Sequence, residues 1–242
     1  MPQRQRHRGP HPEDARLFAP KWHAVLRAAV ADLSYLLSRD YAAQGALKMV
    51  GDHYQLHARQ RQALLRTACS DASLRRRGAC RAPTETLRGA VVDIDGYNLL
   101  ITIESALGGG VLLRGRDGCV RDLASMHGSY RKVEETVAAI GVIGEGLSAL
   151  GVARACWRLD APVSNSGRLK ALLRHEADAK GWCWEVELAN GVDKLLSESK
   201  DIVITSDGWI LDRAARWANA IDPMLAAVGA TTRVLDLGDM VR

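Results

Sequence analysis

The sequence has few cysteines and few aromatic residues, and it has no long apolar run. Its five cysteines are odd in number and far apart, and no Cys-x-x-Cys pair occurs. These features argue against a disulfide framework and against a thiolate zinc site. No stretch approaches the roughly 18 to 20 apolar residues of a membrane-spanning helix, and residues 1–10 contain no signal-peptide core. We therefore expect a protein of the reducing cytoplasm that does not insert into a membrane.

The composition that is present is that of an ordinary globular protein. Of 242 residues, 47% are hydrophobic and 25% are charged, which suffices for one or two buried cores. Residues 1–88 hold 16 Lys and Arg against 7 Asp and Glu, whereas residues 89–242 hold 17 against 21. A basic part joined to an acidic part favours contact with a polyanion and carboxylates that bind cations. Basic segments are, however, often merely solvated.

The apolar pattern divides the chain near residue 88. In chain order the predicted parts are a disordered basic tail (1–14), a small basic helical unit (15–70), a linker (71–88) and an α/β domain (89–242). In that domain β-rich runs alternate with helical runs, which is typical of βαβ units around a mainly parallel sheet. Asp117 and Gly118 predict the turn of a hairpin inserted near residues 108–131.

The domain after residue 88 is predicted in the following elements. They are strand 90–95, hairpin strands 110–113 and 119–122, helix 132–150, strand 152–159, helix 166–179, strand 182–188, helix 192–197, strand 201–205, helix 209–220 and strand 232–237. The pattern at 182–188 also fits the start of a helix.

Acidic and polar residues follow several of these strands directly. They are Asp93, Asp95 and Asn98 at the first strand, Asp160 after strand 152–159, Asp193 in helix 192–197, and Thr205, Ser206, Asp207 and Asp212 around the end of strand 201–205. A parallel sheet places its ligand site beyond the carboxyl ends of the strands. A single Asp there often only caps a helix, but several close together repel each other unless a cation neutralises them. The pattern predicts Mg²⁺ or Mn²⁺ as the cofactor.

The segment VVDIDGYNLL at 91–100 resembles the opening strand of PIN-like and NYN-type ribonucleases, in which Asn follows the terminal Asp by three residues. GVDKLL at 191–196 and IVITSDGWILD at 202–212 resemble the later acidic positions of that fold. The resemblance implies a PIN-like three-layer α/β/α fold with a central, mainly parallel sheet. It implies a metal-dependent ribonuclease whose catalytic, metal-binding acids are Asp95, Asp193, Asp207 and Asp212, with Asn98 as a supporting group that binds substrate. Glu104 is a further metal candidate from this resemblance, and Asp160 is one from its place at a strand end.

A second resemblance covers the N-terminal part. DLSYLLSRDYAAQGALKMVGDHYQLHARQRQAL at 32–64, with HGSYR at 127–131, resembles the prokaryotic family called domain of unknown function four-three-four, joined to a PIN-like part. It would cover the chain from about residue 15 onward. The HGSYR segment adds to a minimal PIN domain, so His127 as a proton donor and Arg131 as a phosphate ligand are substrate-binding candidates. A turn and a helix start account for them as well.

A further phosphate site is predicted at the start of helix 166–179. Backbone N–H groups there, with Ser164, Ser166 and Arg168, would bind a phosphate next to the one that is cleaved, although the serines also fit helix caps. The basic helical unit would add non-specific affinity for the RNA backbone. Nucleic acid, foremost RNA, is therefore the expected partner. The sequence leaves open whether DNA is bound and whether the protein is a homodimer.

Two other functions fit part of the pattern. Asp93-Ile94-Asp95-Gly96 resembles the D-x-D-G motif of haloacid dehalogenase-type phosphatases, with Asp93 as nucleophile and Asp95 as acid/base. Asp207 and Asp212 would then bind magnesium, but Asn98 and Asp193 are unexplained. The other alternative is a non-catalytic RNA-binding protein on a degenerate PIN scaffold, which would bind RNA in chelator and leave it intact.

Overall fold

The computed structural model describes residues 7–124, 130–229 and 232–238. The helices are α1 (Asp14–Leu17), α2 (Pro20–Leu37), α3 (Ala43–His53), α4 (Ala58–Thr67), α5 (Asp71–Cys80), α6 (Gly96–Leu107), α7 (Thr136–Ala149), α8 (Ser166–Lys180), α9 (Val192–Ser197), α10 (Gly208–Leu211) and α11 (Ile221–Val228). The strands are β1 (Val91–Asp95), β2 (Val111–Arg114), β3 (Val120–Asp122), β4 (Arg154–Asp160), β5 (Trp184–Ala189), β6 (Ile202–Ile204) and β7 (Arg233–Asp236). Within these ranges none of the helices has the length and apolar character of a membrane span.

Four parallel strands form the central sheet, in the order β5–β4–β1–β6. The chain builds outward from β1 through β4 to β5 and then returns to the other side of β1 with β6. The direction of strand order therefore reverses at β1, and such a reversal leaves a crevice at the carboxyl ends of the strands. The buried β6, Ile202–Ile204, has the β-branched composition typical of parallel strands that are covered on both faces.

Helices cover both sides of the central sheet. On one side Val92 and Ile94 of β1 pack with residues of α6, α7, α8 and α11. On the other side Val203 of β6 packs with residues of α9 and α10. Because each buried aliphatic side chain stabilises the fold by about 1.5–3 kcal/mol, these two layers hold the sheet in place. The predicted α/β fold with a mainly parallel sheet is confirmed at this level.

A second, three-stranded sheet connects the two parts of the chain. Its order is β3–β2–β7, and β2 and β3 form the hairpin predicted from Asp117 and Gly118. Alternate residues of β2 point to opposite faces: Leu112 joins the central core, whereas Leu113 packs with the N-terminal helices α1 to α4. The basic helical unit is thus docked on the hairpin.

Residues 71–88 do not form the predicted linker without regular structure. Residues Asp71–Cys80 form α5, whose N-cap Ser70 accepts a hydrogen bond from the Ser73 N–H at 3.1 Å. The buried residue of this helix is Arg77 rather than an apolar side chain, so no apolar stripe marks it in the sequence. The predicted disordered tail also needs correction, because Arg8 Nε lies 2.6 Å from the buried Glu104 Oε2.

The helix predicted at 209–220 is wrong beyond its first turn. It ends at Leu211, and the chain then runs beside β6, where Ala218 N–H donates to Val203 O at 3.0 Å. This long-range pairing lies at the open edge of β6 and overrides the local helical pattern. A separate helix, α11, begins only at Ile221.

Gly96, the first residue of α6, allows this helix to pack closely against β4. A Cβ at this position would lie 2.6 Å from Leu159 Cδ2 and 2.9 Å from Arg158 O. We expect Gly96→Ala to lower the free energy of unfolding by about 1–3 kcal/mol through overpacking, measured by urea unfolding followed by circular dichroism. The control is Gly78→Ala in α5, where a Cβ would meet no described atom within 4 Å. Equal loss of stability in both variants would contradict this account of Gly96.

Candidate functional site

Four carboxylates lie at the edge of the central sheet where its strands end, and we call them the acidic edge. Asp95 is the last residue of β1 and Asp160 the last of β4, Asp193 is in the first turn of α9 after β5, and Asp207 follows β6. Parallel strands place their carboxyl ends on one side, so four separate segments bring an acid to the same edge. The crevice between β1 and β6 lies between Asp95 and Asp207.

Asp95 is the acid whose proton affinity the structure changes most clearly. Burial raises its pKa, and the negative charges of Asp207 and Asp193 raise it further, to about 7. Two hydrogen bonds act in the opposite direction: Thr205 Oγ1 donates to Asp95 Oδ2 at 2.8 Å and Asn98 N–H to Oδ1 at 3.4 Å. Asp95 therefore exchanges its proton near neutral pH, which is the range suited to acid–base chemistry.

The other acids interact with Asp95 and with each other. Partial burial of its carboxyl group raises the pKa of Asp193, and the charges of Asp207 and Asp160 add to this shift. Burial also raises the pKa of Asp160, while a hydrogen bond from the Val192 backbone N–H lowers it. The carboxylates are thus near enough for like charges to repel, which is the condition that a bound cation relieves.

Hydrogen bonds hold the two turns of the crevice together. Asn98 Oδ1 accepts from Ser206 N–H at 2.9 Å and from Ser206 Oγ at 3.0 Å. Asp207 Oδ1 caps α10 by accepting from Trp209 N–H at 2.8 Å and Ile210 N–H at 3.3 Å. Asn98 was predicted to bind substrate, and the structure places its amide oxygen between the β1 and β6 turns as a positioning group.

The acidic edge is not an assembled coordination site. In residues 7–124, 130–229 and 232–238, no group of three or more His, Cys, Asp or Glu side chains is placed to hold a metal ion. The chemistry of the donors nevertheless suits a hard cation, because they are carboxylates with neighbouring hydroxyl groups. Metal binding by Asp95, Asp193, Asp207 and Asp160 therefore stays a prediction.

The sequence predicts Asp212 as one of the metal-binding acids, but in the structure this residue lies outside the acidic edge. Arg77 binds it through both carboxylate oxygens, with Nε 2.7 Å from Oδ1 and Nη2 2.9 Å from Oδ2. The reason is that α10 is only one turn long, so Asp212 at its end meets α5 instead of the crevice. The charge of Asp212 is already neutralised by an arginine, so Asp212 does not belong to the candidate site.

Glu104 lies in a separate, fully buried cluster. Its Oε1 accepts hydrogen bonds from Tyr130 Oη at 2.5 Å and Thr136 Oγ1 at 2.6 Å, and Arg8 lies against Oε2. Burial raises the pKa of Glu104, and the positive charge of Arg8 opposes the shift. These partners hold Glu104 between α6 and α7, so it is not a metal ligand of the acidic edge.

Asp93, the nucleophile required by a phosphatase, is buried inside β1. Its Oδ1 accepts a hydrogen bond from Arg158 Nε at 2.8 Å and its Oδ2 one from Ser199 Oγ at 2.6 Å. Both oxygens are engaged and the residue is only 4% exposed. A buried, paired carboxylate of this kind is a poor nucleophile, and the position serves to join β1 to β4.

The predicted phosphate ligands at α8 have different environments. Ser166 is buried and donates to Ala161 O at 3.3 Å, whereas Ser164 and Arg168 are exposed. Neither serine is the N-cap, since Asn165 occupies that position at φ 70° and forms no side-chain cap within the described structure. Arg131 is exposed at the start of the segment before α7. His127 lies outside the described residues.

Two residues near the acidic edge were missed by the sequence analysis. A cavity of about 180 Å³ adjoins Asp207, with the following lining residues: Leu65, Arg66, Ala68, Arg77, Arg121, Ser206, Asp207 and Gly208. Arg66 is in α4, where nothing in the sequence distinguishes it from Arg59 and Arg61. Trp209 follows Asp207 by two residues and is 44% exposed. The only feature of the sequence that marks Trp209 is its place after Asp-Gly, at the start of a predicted helix.

The fold and the acidic edge define an α/β protein with a carboxylate-lined crevice at the reversal of strand order. Comparison with known proteins gives its family: the chain belongs to the family described as Domain of unknown function (DUF5616), whose model matches residues 84–222. The model described as Protein of unknown function (DUF434) matches residues 25–79. This match confirms the N-terminal resemblance, over a shorter range than predicted.

A relative with a similar sequence matches the chain over most of its length. The chain is 31% identical over 186 residues to the "Uncharacterized protein MJ0935" of Methanocaldococcus jannaschii, a match that covers 77% of this chain and 88% of that protein. No solved structure matched the chain. The PIN-like identity of the C-terminal part stays a prediction.

The raised pKa of Asp95 makes the stability of the protein depend on pH. Between about pH 4 and pH 7 the unfolded chain loses this proton while the folded protein keeps it, so the stability of wild type falls as pH rises. Asn cannot ionise and keeps an oxygen for the cap. We therefore expect Asp95→Asn to gain stability over wild type, by about 1–3 kcal/mol, as pH rises from about 5 to 8.

The measurement is urea unfolding at several pH values in the presence of a chelator. The matched control is Asp201→Asn, an exposed acid before the amino end of β6, at the opposite edge of the sheet. It should show no gain that depends on pH. A stability difference between Asp95→Asn and wild type that stays constant from about pH 5 to pH 8 would contradict the raised pKa of Asp95.

Proposed function

We propose that the protein is a metal-dependent ribonuclease on a PIN-like α/β/α scaffold, which hydrolyses RNA phosphodiester bonds at the acidic edge. Asp95, Asp193 and Asp207 are the acting carboxylates, and Asp160 assists them. The observation that carries the proposal is that these acids come from separate segments and follow the carboxyl ends of parallel strands at one edge of the sheet, where their charges affect each other. Repulsion between like charges lowers the stability of a fold. Such charge clusters are nevertheless common at functional sites, where binding or catalysis requires them.

The residues of the chain would contribute to the reaction in different ways. Asp95 exchanges a proton near pH 7, and Thr205 fixes its carboxylate. Asp193 is exposed and reaches solvent at the mouth of the crevice. When bound, Mg²⁺ or Mn²⁺ would acidify a water molecule and place positive charge against the phosphoryl oxygens. The donor set fits either ion because it consists of oxygen atoms.

The polyanionic substrate is supported by the distribution of charge. The N-terminal part carries the excess of Lys and Arg, and it docks on the hairpin through the core that Leu113 shares with the helices. A positively charged unit fixed to the acidic domain would attract a nucleic acid backbone. Exposed Arg168, and Ser164 in the loop after β4, lie at the same edge as Asp160 and would contact a neighbouring phosphate.

The test is cleavage of end-labelled single-stranded and hairpin RNA with Mn²⁺ or Mg²⁺. Asp95→Asn, Asp193→Asn and Asp207→Asn should each lower the rate by about 100-fold or more, equivalent to about 2.7 kcal/mol of transition-state stabilisation. Asp201→Asn is the control and should retain the wild-type rate. Asn at 207 keeps the oxygen that caps α10, so a loss there reports on charge.

Two results would reject the proposal. Equal cleavage by the variants and the parent would show that the acidic edge does not catalyse the reaction. Binding of RNA in chelator without any cleavage on addition of Mn²⁺ would favour the non-catalytic RNA-binding alternative. Products with a 5′-phosphate and a 3′-hydroxyl are the expected outcome of hydrolysis at a PIN-like site.

A further inference from the structure

The cavity next to Asp207 is built from both parts of the chain, and we call it the Arg66 cavity. Leu65, Arg66 and Arg77 come from the N-terminal helices, while Ser206 and Asp207 come from the β6 turn. The basic helical unit therefore lines a cavity that also contains Asp207 of the acidic edge. This arrangement gives the unit a specific place beside the candidate site, rather than only a diffuse positive charge.

Two of the three arginines of the cavity are fully engaged within the protein. Arg77 binds Asp117 at 2.5 Å and Asp212 at 2.7 Å, and it donates to Gly208 O at 3.1 Å. Arg121 donates through Nη2 to the same Asp117 at 2.6 Å and through Nε to Ser206 O at 2.7 Å. Their guanidinium groups fix the β6 turn, and their charge is balanced by Asp117 and Asp212.

The third arginine of the cavity, Arg66, has hydrogen-bond donors without acceptors among the described residues. It is half-buried, yet in the described part of the chain it has neither an ion pair nor a hydrogen bond. Its electrostatic neighbour Asp122 is buried and already accepts from Thr102 Oγ1 at 3.0 Å and Ala124 N–H at 2.7 Å. A guanidinium group offers five donors in a planar fork that suits phosphate, so Arg66 presents an unused anion ligand to the cavity.

Trp209 is an exposed aromatic residue close in sequence to this cavity. It directly follows the lining residues Asp207 and Gly208, and 44% of it is exposed. The guanidinium of Arg213 lies 4.0 Å from the centre of the indole ring and orients it. An exposed aromatic side chain is unremarkable alone, but bases of single strands stack on such rings next to cationic groups that hold the backbone.

We propose that single-stranded RNA lies across Asp207 with one phosphate bound by Arg66 in the cavity and a neighbouring base stacked on Trp209. This proposal rests on the proposed function and specifies its substrate as an unpaired strand, because a base within a duplex cannot stack on a side chain. It makes the N-terminal helical unit part of the substrate-binding site. Arg66 and Trp209 are positioning residues for the strand.

The test is the binding of a fluorescein-labelled oligouridylate of about 12 nucleotides to the full chain, followed by anisotropy with chelator present. We expect Arg66→Gln to weaken binding about tenfold and to reduce the slope of log Kd against log salt concentration by about 1. The matched control is Arg75→Gln, an exposed arginine on α5 that does not line the cavity. It should change Kd by less than about twofold.

Trp209 is tested by a pair of variants in the same assay. Trp209→Leu removes the aromatic ring and should weaken binding about fivefold or more, whereas Trp209→Phe retains a stacking surface and should restore most of the affinity. Thermal unfolding of each variant checks that it is folded, because Arg66→Gln also removes a positive charge that acts on the buried Asp122.

The outcomes separate this inference from the ribonuclease proposal. Equal weakening by Arg66→Gln and Arg75→Gln would overturn the Arg66 site in favour of diffuse charge, even if wild type cleaves RNA. Loss of binding in Arg66→Gln alone would support the site, even if wild type cleaves nothing. A wild-type protein that does not bind the oligouridylate at all would also overturn the inference.

Discussion

The ion pairs made by the buried carboxylate of Asp117 are the interactions on which the rest of the structure depends. Burial opposes its ionisation, but the charges of Arg121 and Arg77 outweigh this effect and lower its pKa to about 2. Through these two arginines the hairpin turn is joined to α5 and to the β6 turn that carries Asp207. Loss of one partner of a buried pair leaves the others unpaired, at a cost of about 3–5 kcal/mol. The position of the acidic edge relative to the basic unit is therefore fixed by an ionic network and not by apolar packing alone.

The overall architecture could be predicted because its signals are local. Short apolar strands and the Asp-Gly turn depend on neighbouring residues, and the observed α8, Ser166–Lys180, differs little from its prediction. The elements that were wrong depend on distant partners. Helix α5 has Arg77 as its buried residue, and the chain after Leu211 leaves the helix to pair with β6. No periodicity in the sequence reports such contacts.

The same distinction applies to the candidate site. Strand direction alone predicts that Asp95, Asp160 and Asp207 share one edge of the sheet, because parallel strands end on the same side. It could not separate Asp207 from Asp212, since the arginine that neutralises Asp212 is far away in sequence. Nor could it distinguish Arg66 among the arginines of α4, because only the docking of the helical unit brings this residue to the cavity.

Strand β7 connects the α/β part of the protein to the N-terminal helices. It pairs with β2 in the sheet on which the N-terminal helices dock, and Arg27 of α2 donates to Asp236 O at 3.0 Å. The surface on which the N-terminal helices dock is therefore complete only when β7, far away in the sequence, has paired with β2. Contacts between segments so distant in sequence raise the contact order of the fold, and a high contact order slows folding.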